Sequence, residues 1–291
     1  MRSEYRVGAI TVTRVTEQCG PGFLPDFLYP DWDPAALHDA GPAMLADSLD
    51  PVSGKLISSI HTWVVRTPHH TILIDTCAGN HKHRPALPRL HQLDLPFLDR
   101  LAEAGVRPEA VDFVLCTHLH ADHCGWNTRL IDGRWVPTFP NAKYVFSRAE
   151  YDRWSAPDSG GGHNDGVFKD SVLPVIARNQ AQVIDGAGAI VDGLAFHPTP
   201  GHSPGHVAVM LVDKDHLGLF SGDVMHQPVQ VVRPEWNSRF CEDPLAARVS
   251  RRWLLEQAAE HDATVFTAHF AQSSAGFVAR CGDSFSWRFS N

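Results

Sequence analysis

The chain has 291 residues, 33 acidic and 25 basic, for a formal charge of −8. Its 43% hydrophobic and 20% charged content is that of a globular protein with a large core, and the acidic balance argues against a nucleic-acid partner. No apolar run reaches the ~18 residues of a membrane helix, and the opening MRSEYRVGAITVTRVTE lacks a signal-peptide core, so a cytoplasmic protein with no membrane partner is expected.

In chain order, SSIHTWVVR (58–66) and TILID (71–75) are apolar and β-branched, and read as a hairpin. Within 95–111, Phe97, Leu98, Leu101, Ala102 and Ala104 recur at helical spacing, and Gly105 then marks the stop. VDFVLCT (111–117) reads as a buried strand. KYVFS (143–147), LAFHPT (194–199), VAVMLV (207–212) and LGLFS (217–221) read as further strands. Asp243 and Pro244 open a helix whose Leu245, Val249 and Leu255 are expected on roughly one face. ATVFTA (263–268) closes the series as a strand. Alternating strands and helices of this kind predict a layered α/β fold, read here as one domain over 1–291. Residues 19–56 and 155–170 are Gly/Pro-rich and aperiodic. The first is expected to be a lid or substrate-loop insertion, and the second is left open between a lid and a surface loop.

The predicted strands end on metal-type donors. The strand at 111–117 leads into His118, His120, Asp122 and His123, and 194–199 leads into His202 and His206. The strand 217–221 leads into Asp223, and 263–268 into His269. Sites in α/β sheets collect at carboxyl ends of strands, so these donors, seven apart from His206, at four such ends predict a metal centre. Imidazole and carboxylate suit zinc and its first-row neighbours. The H-x-H spacing lets His118 and His120 face one way, whereas the adjacent Asp122 and His123 would serve a second ion, and Asp223 could bridge the two. The six cysteines are dispersed without a C-x-x-C pair and read as free thiols, Cys124 beside His123 included.

HLHADH (118–123) resembles the H-x-H-x-D-H signature of the metallo-β-lactamase superfamily. DTCAGN (75–80), PGHSPGH (200–206), FSGDVMH (220–226) and TAHF (267–270) follow in that family's order, so the likeness covers about 60 to 270. It implies an αββα sandwich of two mixed sheets flanked by helices. It also implies two divalent metal ions, zinc first, with manganese, cobalt or iron able to substitute. His118, His120 and His202 would hold one ion and Asp122, His123 and His269 the other, with Asp223 bridging. Asp75 is either a supporting residue or a plain turn former, and His206 a structural one. The implied activity is attack of metal-bound hydroxide on an ester or lactone carbonyl of a small molecule.

Within the family, GDVMHQPVQ is similar to the branch of the methyl parathion hydrolases and lactonase-like esterases. Phosphotriester hydrolysis and a mononuclear-iron persulfide dioxygenase remain alternatives, and a homodimer remains open. Where the quorum-quenching lactonases carry a tyrosine, this chain has His226. Asp122 and His226 are therefore the candidate catalytic residues, His226 either as a donor to the developing oxyanion or as a partner of Asp223. The HKH run (81–83), flanked by Arg84, reads as a solvated loop. Phe23, Phe27, Trp32, Trp126, Trp236 and Phe270 could line a pocket, with core packing the expectation for each one singly.

Overall fold

A computed structural model describes residues 3–35, 48–156 and 162–290. The parts of the two aperiodic segments that fall at 36–47 and 157–161 lie outside the described residues. The chain divides into two compact units, one of Glu4–Glu17 and Ile60–Gly188, the other of Met1–Ser3, Gln18–Ser59 and Ala189–Asn291.

The first sheet joins β1 (Glu4–Val7), β2 (Ile10–Pro21), β3 (Ile57–Arg66), β4 (Thr71–Ile74) and β5 (Phe113–Leu115). After a separate ribbon of β6 (Thr128–Ile131) and β7 (Arg134–Pro137), the same sheet continues with β8 (Lys143–Ser147) and β9 (Ala181–Ile184). It is mixed: β3 and β4 form the expected antiparallel hairpin, whereas β4, β5, β8 and β9 run parallel. The central strands β4 and β5 are short and almost wholly buried, so they lack a two-residue alternation.

The second sheet runs β10 (Gly188–Val191), β11 (Leu194–Pro198), β12 (Val207–Asp213), β13 (His216–Phe220), β14 (Thr264–Phe266), β15 (Ala275–Cys281) and β16 (Ser284–Phe289). Only β13 and β14 are parallel among its paired neighbours β11 to β16. The expected α/β class therefore holds, as two mixed sheets with helices alongside. The β1–β2 and β15–β16 hairpins escaped the sequence reading, although Gly8 and Gly282 adopt the positive φ that tight turns require.

The helix Phe97–Glu103 ends as the sequence predicts, with Gly105 at φ +76°. Helix Pro244–Glu260 begins at Asp243, whose carboxylate accepts from the N–H groups of Leu245 and Ala246 at 3.0 Å each. Such a cap contributes about 1 kcal/mol. Its expected apolar face is a correction: Leu245 and Val249 are 72% and 71% exposed. The buried face carries Ala247, Ser250, Arg251, Leu254, Leu255 and Ala258. Arg251 can occupy it because its guanidinium donates to the carbonyls of Val224, Pro234 and Trp236 at 2.7–2.8 Å. A cationic side chain satisfied by main-chain oxygens thus takes an interior position that hydrophobicity alone would not assign.

Each unit has its own apolar interior. In one, Val64, Leu73, Val114, Phe97, Leu101, Phe146 and Trp126 cluster. In the other, Leu219, Val265, Leu254, Leu255 and Phe270 do so. In the described part of 19–56, Leu28, Tyr29 and Leu56 pack with Val229 and Trp236.

Candidate metal centre

Parallel register explains why donors gather at strand ends. In one unit β4 and β5 pair Ile74 with Leu115, so the chain leaves both strands at the same edge. Asp75 follows at once, at φ +56°. Its Oδ1 accepts from the Thr117 N–H at 2.7 Å, and its Oδ2 from the Thr117 hydroxyl at 2.8 Å and His123 Nδ1 at 2.9 Å. A carboxylate only accepts, so His123 carries its proton on Nδ1 and presents a lone pair at Nε2. The Thr117 hydroxyl, having donated to Asp75, accepts from His118 Nδ1 at 3.1 Å. That leaves a lone pair on His118 Nε2, which lies 3.0 Å from His120 Nδ1. Asp122 Oδ1 is 3.8 Å from His123 Nε2 and keeps a quarter of its side chain exposed. Asp75 is therefore more than a turn former: it sets the ring orientation of the neighbouring donors.

The other unit repeats the device. Parallel β13 and β14 pair Phe220 with Phe266, and three residues beyond them stand Asp223 and His269. The buried Asp223 carboxylate lies 2.9 Å from His269 Nε2, 3.2 Å from His202 Nε2 and 3.3 Å from His226 Nε2. His269 Nδ1 donates to the carbonyl of Ser59 at 2.9 Å, so a neutral ring keeps its lone pair on Nε2. A lone pair facing a carboxylate oxygen at that distance repels unless a proton or a metal cation lies between the two. Buried imidazoles and carboxylates oriented in this way fit divalent metal and fit zinc chemistry.

His206 stands apart. Its Nε2 accepts from the Asp223 N–H at 2.9 Å, so its Nδ1 carries the proton and donates to Thr199 Oγ1 at 2.8 Å. It is structural, as its motif suggests, but its reach extends beyond its own loop to fix the backbone of Asp223. The His226 N–H is held by Gln230 Oε1 at 2.7 Å, which also accepts from the Tyr29 hydroxyl at 3.0 Å.

Several sequence expectations need correction or sharpening. The HKH segment is no solvated loop: Lys82 is fully buried and Arg84 nearly so. Arg84 forms a two-pronged bridge to Asp170 at 2.7 and 2.8 Å, while Lys82 donates to Thr128 Oγ1 at 2.6 Å and sits 3.6 Å over the Trp135 ring. Burial lowers the Lys82 pKa to about 8. The alternating pattern conceals this, because only His81 and His83 face outward. Trp126, Trp236 and Phe270 are core residues, whereas Phe23 stacks on the partly exposed Phe27. Burial pushes the Cys124 and Cys77 thiols up, which keeps them protonated and inert.

Glu17 went unnoticed in the sequence. It is buried in β2 and accepts from the N–H groups of Ala78 and Gly79 at 3.0 Å each and from Trp126 Nε1 at 2.7 Å. Burial raises its pKa, against these hydrogen bonds. It ties the loop after Asp75 to the stretch after His123. Those two stretches touch so closely that a Cβ on Gly125 would lie 1.8 Å from the Ala78 carbonyl oxygen. A lone Glu in an alternating strand offers no sequence signal for this role.

Residues 58–269 match the family model described as metallo-beta-lactamase superfamily, more than half of the chain. The N-acyl homoserine lactonase AttM of Agrobacterium fabrum is 32% identical over 189 residues, 62% of this chain and 66% of that protein. The chain spans 60–66% of the length of the curated relatives it matches. Among solved structures, the hydrolase AbOPH of the beta-lactamase superfamily superposes with a TM-score of 0.83 at 25% identity, over 99% of this chain and 97% of that one. The dizinc quorum-quenching lactonase AidC, bound to a product, gives 0.78 at 20% identity with the same coverage, a likeness of fold.

Proposed function

The chain belongs to the metallo-beta-lactamase superfamily, and from that premise we propose that it is a binuclear metal-dependent hydrolase of ester and lactone bonds in small molecules. The family match runs through residues of both compact units, which supports reading them as one functional domain. In this reading the donors would sort into His118, His120 and His202, with Asp223, for one ion and Asp122, His123 and His269 for the other, and Asp223 would bridge to the second. The observation that carries it is the Asp223 carboxylate among three imidazole nitrogens at 2.9–3.3 Å. The lactonase activity of AttM and the two zinc ions of AidC support the substrate class and the metal. When bound, two such cations supply Lewis acidity and a nucleophile at neutral pH.

The protein's own residues do the rest. Asp75 and Ser59 hold the protons of His123 and His269 on Nδ1, keeping each Nε2 available. Asp122, the most exposed of the seven donors, can take a proton during turnover as well as bind. His226, whose backbone Gln230 fixes, stands beside Asp223, and in this reading it donates to the substrate oxygen or the leaving group.

The test is a hydrolysis panel of lactones, aryl esters and phosphotriesters, combined with metal analysis of the purified protein. Two ions per chain and metal-dependent turnover of lactones or esters are expected, with phosphotriesters as a side activity. Less than one ion per chain, or a panel without metal-dependent turnover, defeats the reading. A single iron with persulfide oxidation would replace it with the dioxygenase alternative.

A further inference from the structure

The segment 155–170, aperiodic in sequence, acquires a role from its described end. Its turn Gly162–Asn164 places the buried Asn164 so that Nδ2 donates to the Leu119 carbonyl at 3.0 Å. Leu119 is the residue between His118 and His120. Its N–H donates in turn to Glu150 Oε2 at 3.0 Å. Glu150 is fully buried in helix Arg148–Ser155, which Ser147 caps by accepting from the Glu150 N–H at 3.2 Å. The same Glu150 oxygen accepts from Trp154 Nε1 at 2.8 Å, and the Trp154 ring meets the His120 ring edge-on at 5.4 Å between centroids. On the turn, His163 meets His120 likewise at 5.3 Å.

We propose that Glu150 and Asn164 are positioning residues that grip Leu119 by its N–H and its carbonyl, and thereby set metal affinity at His118 and His120. In an H-x-H run both rings face one way only while the intervening peptide stays extended. Neither polar group of Leu119 belongs to a sheet ladder, because β5 stops at Leu115. Two side chains therefore replace the ladder, one from a helix and one from the turn. The amide orientation of Asn164 is fixed by chemistry, since only its NH2 can meet a carbonyl. Among the described residues its Oδ1 is buried without a hydrogen-bond partner, and the side chain is held there through the Leu119 contact. An ionised Glu150 would also place negative charge close to two ligands, which favours a cation there, and Glu150→Gln tests that part separately.

The proposal rests on His118 and His120 being metal ligands. The experiment titrates metal-stripped protein with Zn2+ against a chelating dye, and with Co2+ by visible absorption. Asn164→Ala removes one grip. Glu150→Gln keeps an acceptor for the Leu119 N–H while removing the charge, and so separates positioning from electrostatics. Supporting partners of metal ligands typically change affinity about 10–100-fold when removed. Asn164→Ala is expected to weaken the site bearing His118 and His120 by at least about tenfold and to alter its Co2+ spectrum. Glu150→Gln is expected to weaken affinity while leaving the spectrum close to that of the parent. The unfolding midpoint of each metal-free variant is recorded beside these, since instability alone leaves the Co2+ spectrum of folded protein unchanged. Parent-like affinity and spectrum in both variants overturn the proposal. A parent protein that binds no metal overturns both the proposal and the metal reading beneath it, whereas a metal-binding parent without hydrolytic activity leaves the grip standing and refutes only the function.

Discussion

Replacing Asp75 by Asn changes one atom and should cost far more than its size suggests. Three donors converge on the carboxylate: the Thr117 N–H on Oδ1, and the Thr117 hydroxyl and His123 Nδ1 on Oδ2. With the amide oxygen at the Oδ1 position, an NH2 group faces His123 Nδ1. The ring must then move its proton to Nε2, the nitrogen the metal reading needs as a lone pair. With the amide reversed, the NH2 collides with the Thr117 N–H instead. A hydrogen bond to a charged partner contributes about 1.5–3 kcal/mol, and second partners of metal ligands change affinity about 10–100-fold. Asp75→Asn should therefore lower the affinity for the ion that His123 is proposed to help hold by about one to two orders of magnitude. Isothermal titration of metal-free protein measures this directly. Nitrogen-15 shifts of the imidazoles report which His123 nitrogen is protonated. Unchanged affinity together with a proton still on Nδ1 would refute the tautomer reasoning, and Asp75 would be only a turn residue.

Other expectations follow from the same geometry. Gly125→Ala places a Cβ 1.8 Å from the Ala78 carbonyl oxygen, so backbone must move and the unfolding midpoint should fall, with overpacking costing about 1–3 kcal/mol or more. Because burial lowers the Lys82 pKa to about 8, from 10.5 when unfolded, the unfolded chain binds more protons between those values. Stability should then rise with pH from about 8 to 10.5, and Lys82→Met should remove that rise in denaturant titrations. His226→Ala should keep both metals yet lower kcat by about a hundred- to thousandfold, roughly 2.7–4 kcal/mol of barrier, most for poor leaving groups. His226→Tyr should restore part of the lactone activity, and near-normal kcat in the alanine variant on an unactivated lactone would reduce His226 to packing.

The sequence alone determined the strands that matter most for the site, because runs such as VDFVLCT and LGLFS are apolar enough to be buried wherever they lie. It also singled out seven candidate donors, because metal chemistry restricts residue type and their spacing is local to each strand end. It did not determine which side of the helix Pro244–Glu260 is buried. There Arg251 displaces Leu245 and Val249 from the interior, through carbonyls contributed by residues about 15–27 positions away. The burial of Lys82 and Arg84 was equally hidden, since it depends on Asp170, a partner more than 80 positions distant. Glu17, Glu150 and Asn164 belong with them: each is an ordinary polar residue in sequence, and each becomes specific only when folding brings it to one backbone amide or carbonyl. Hydrophobic period and ligand type are properties of a local run of residues. The hydrogen-bond partner of a buried polar group is a property of two runs at once, and only the tertiary structure brings the second to the first.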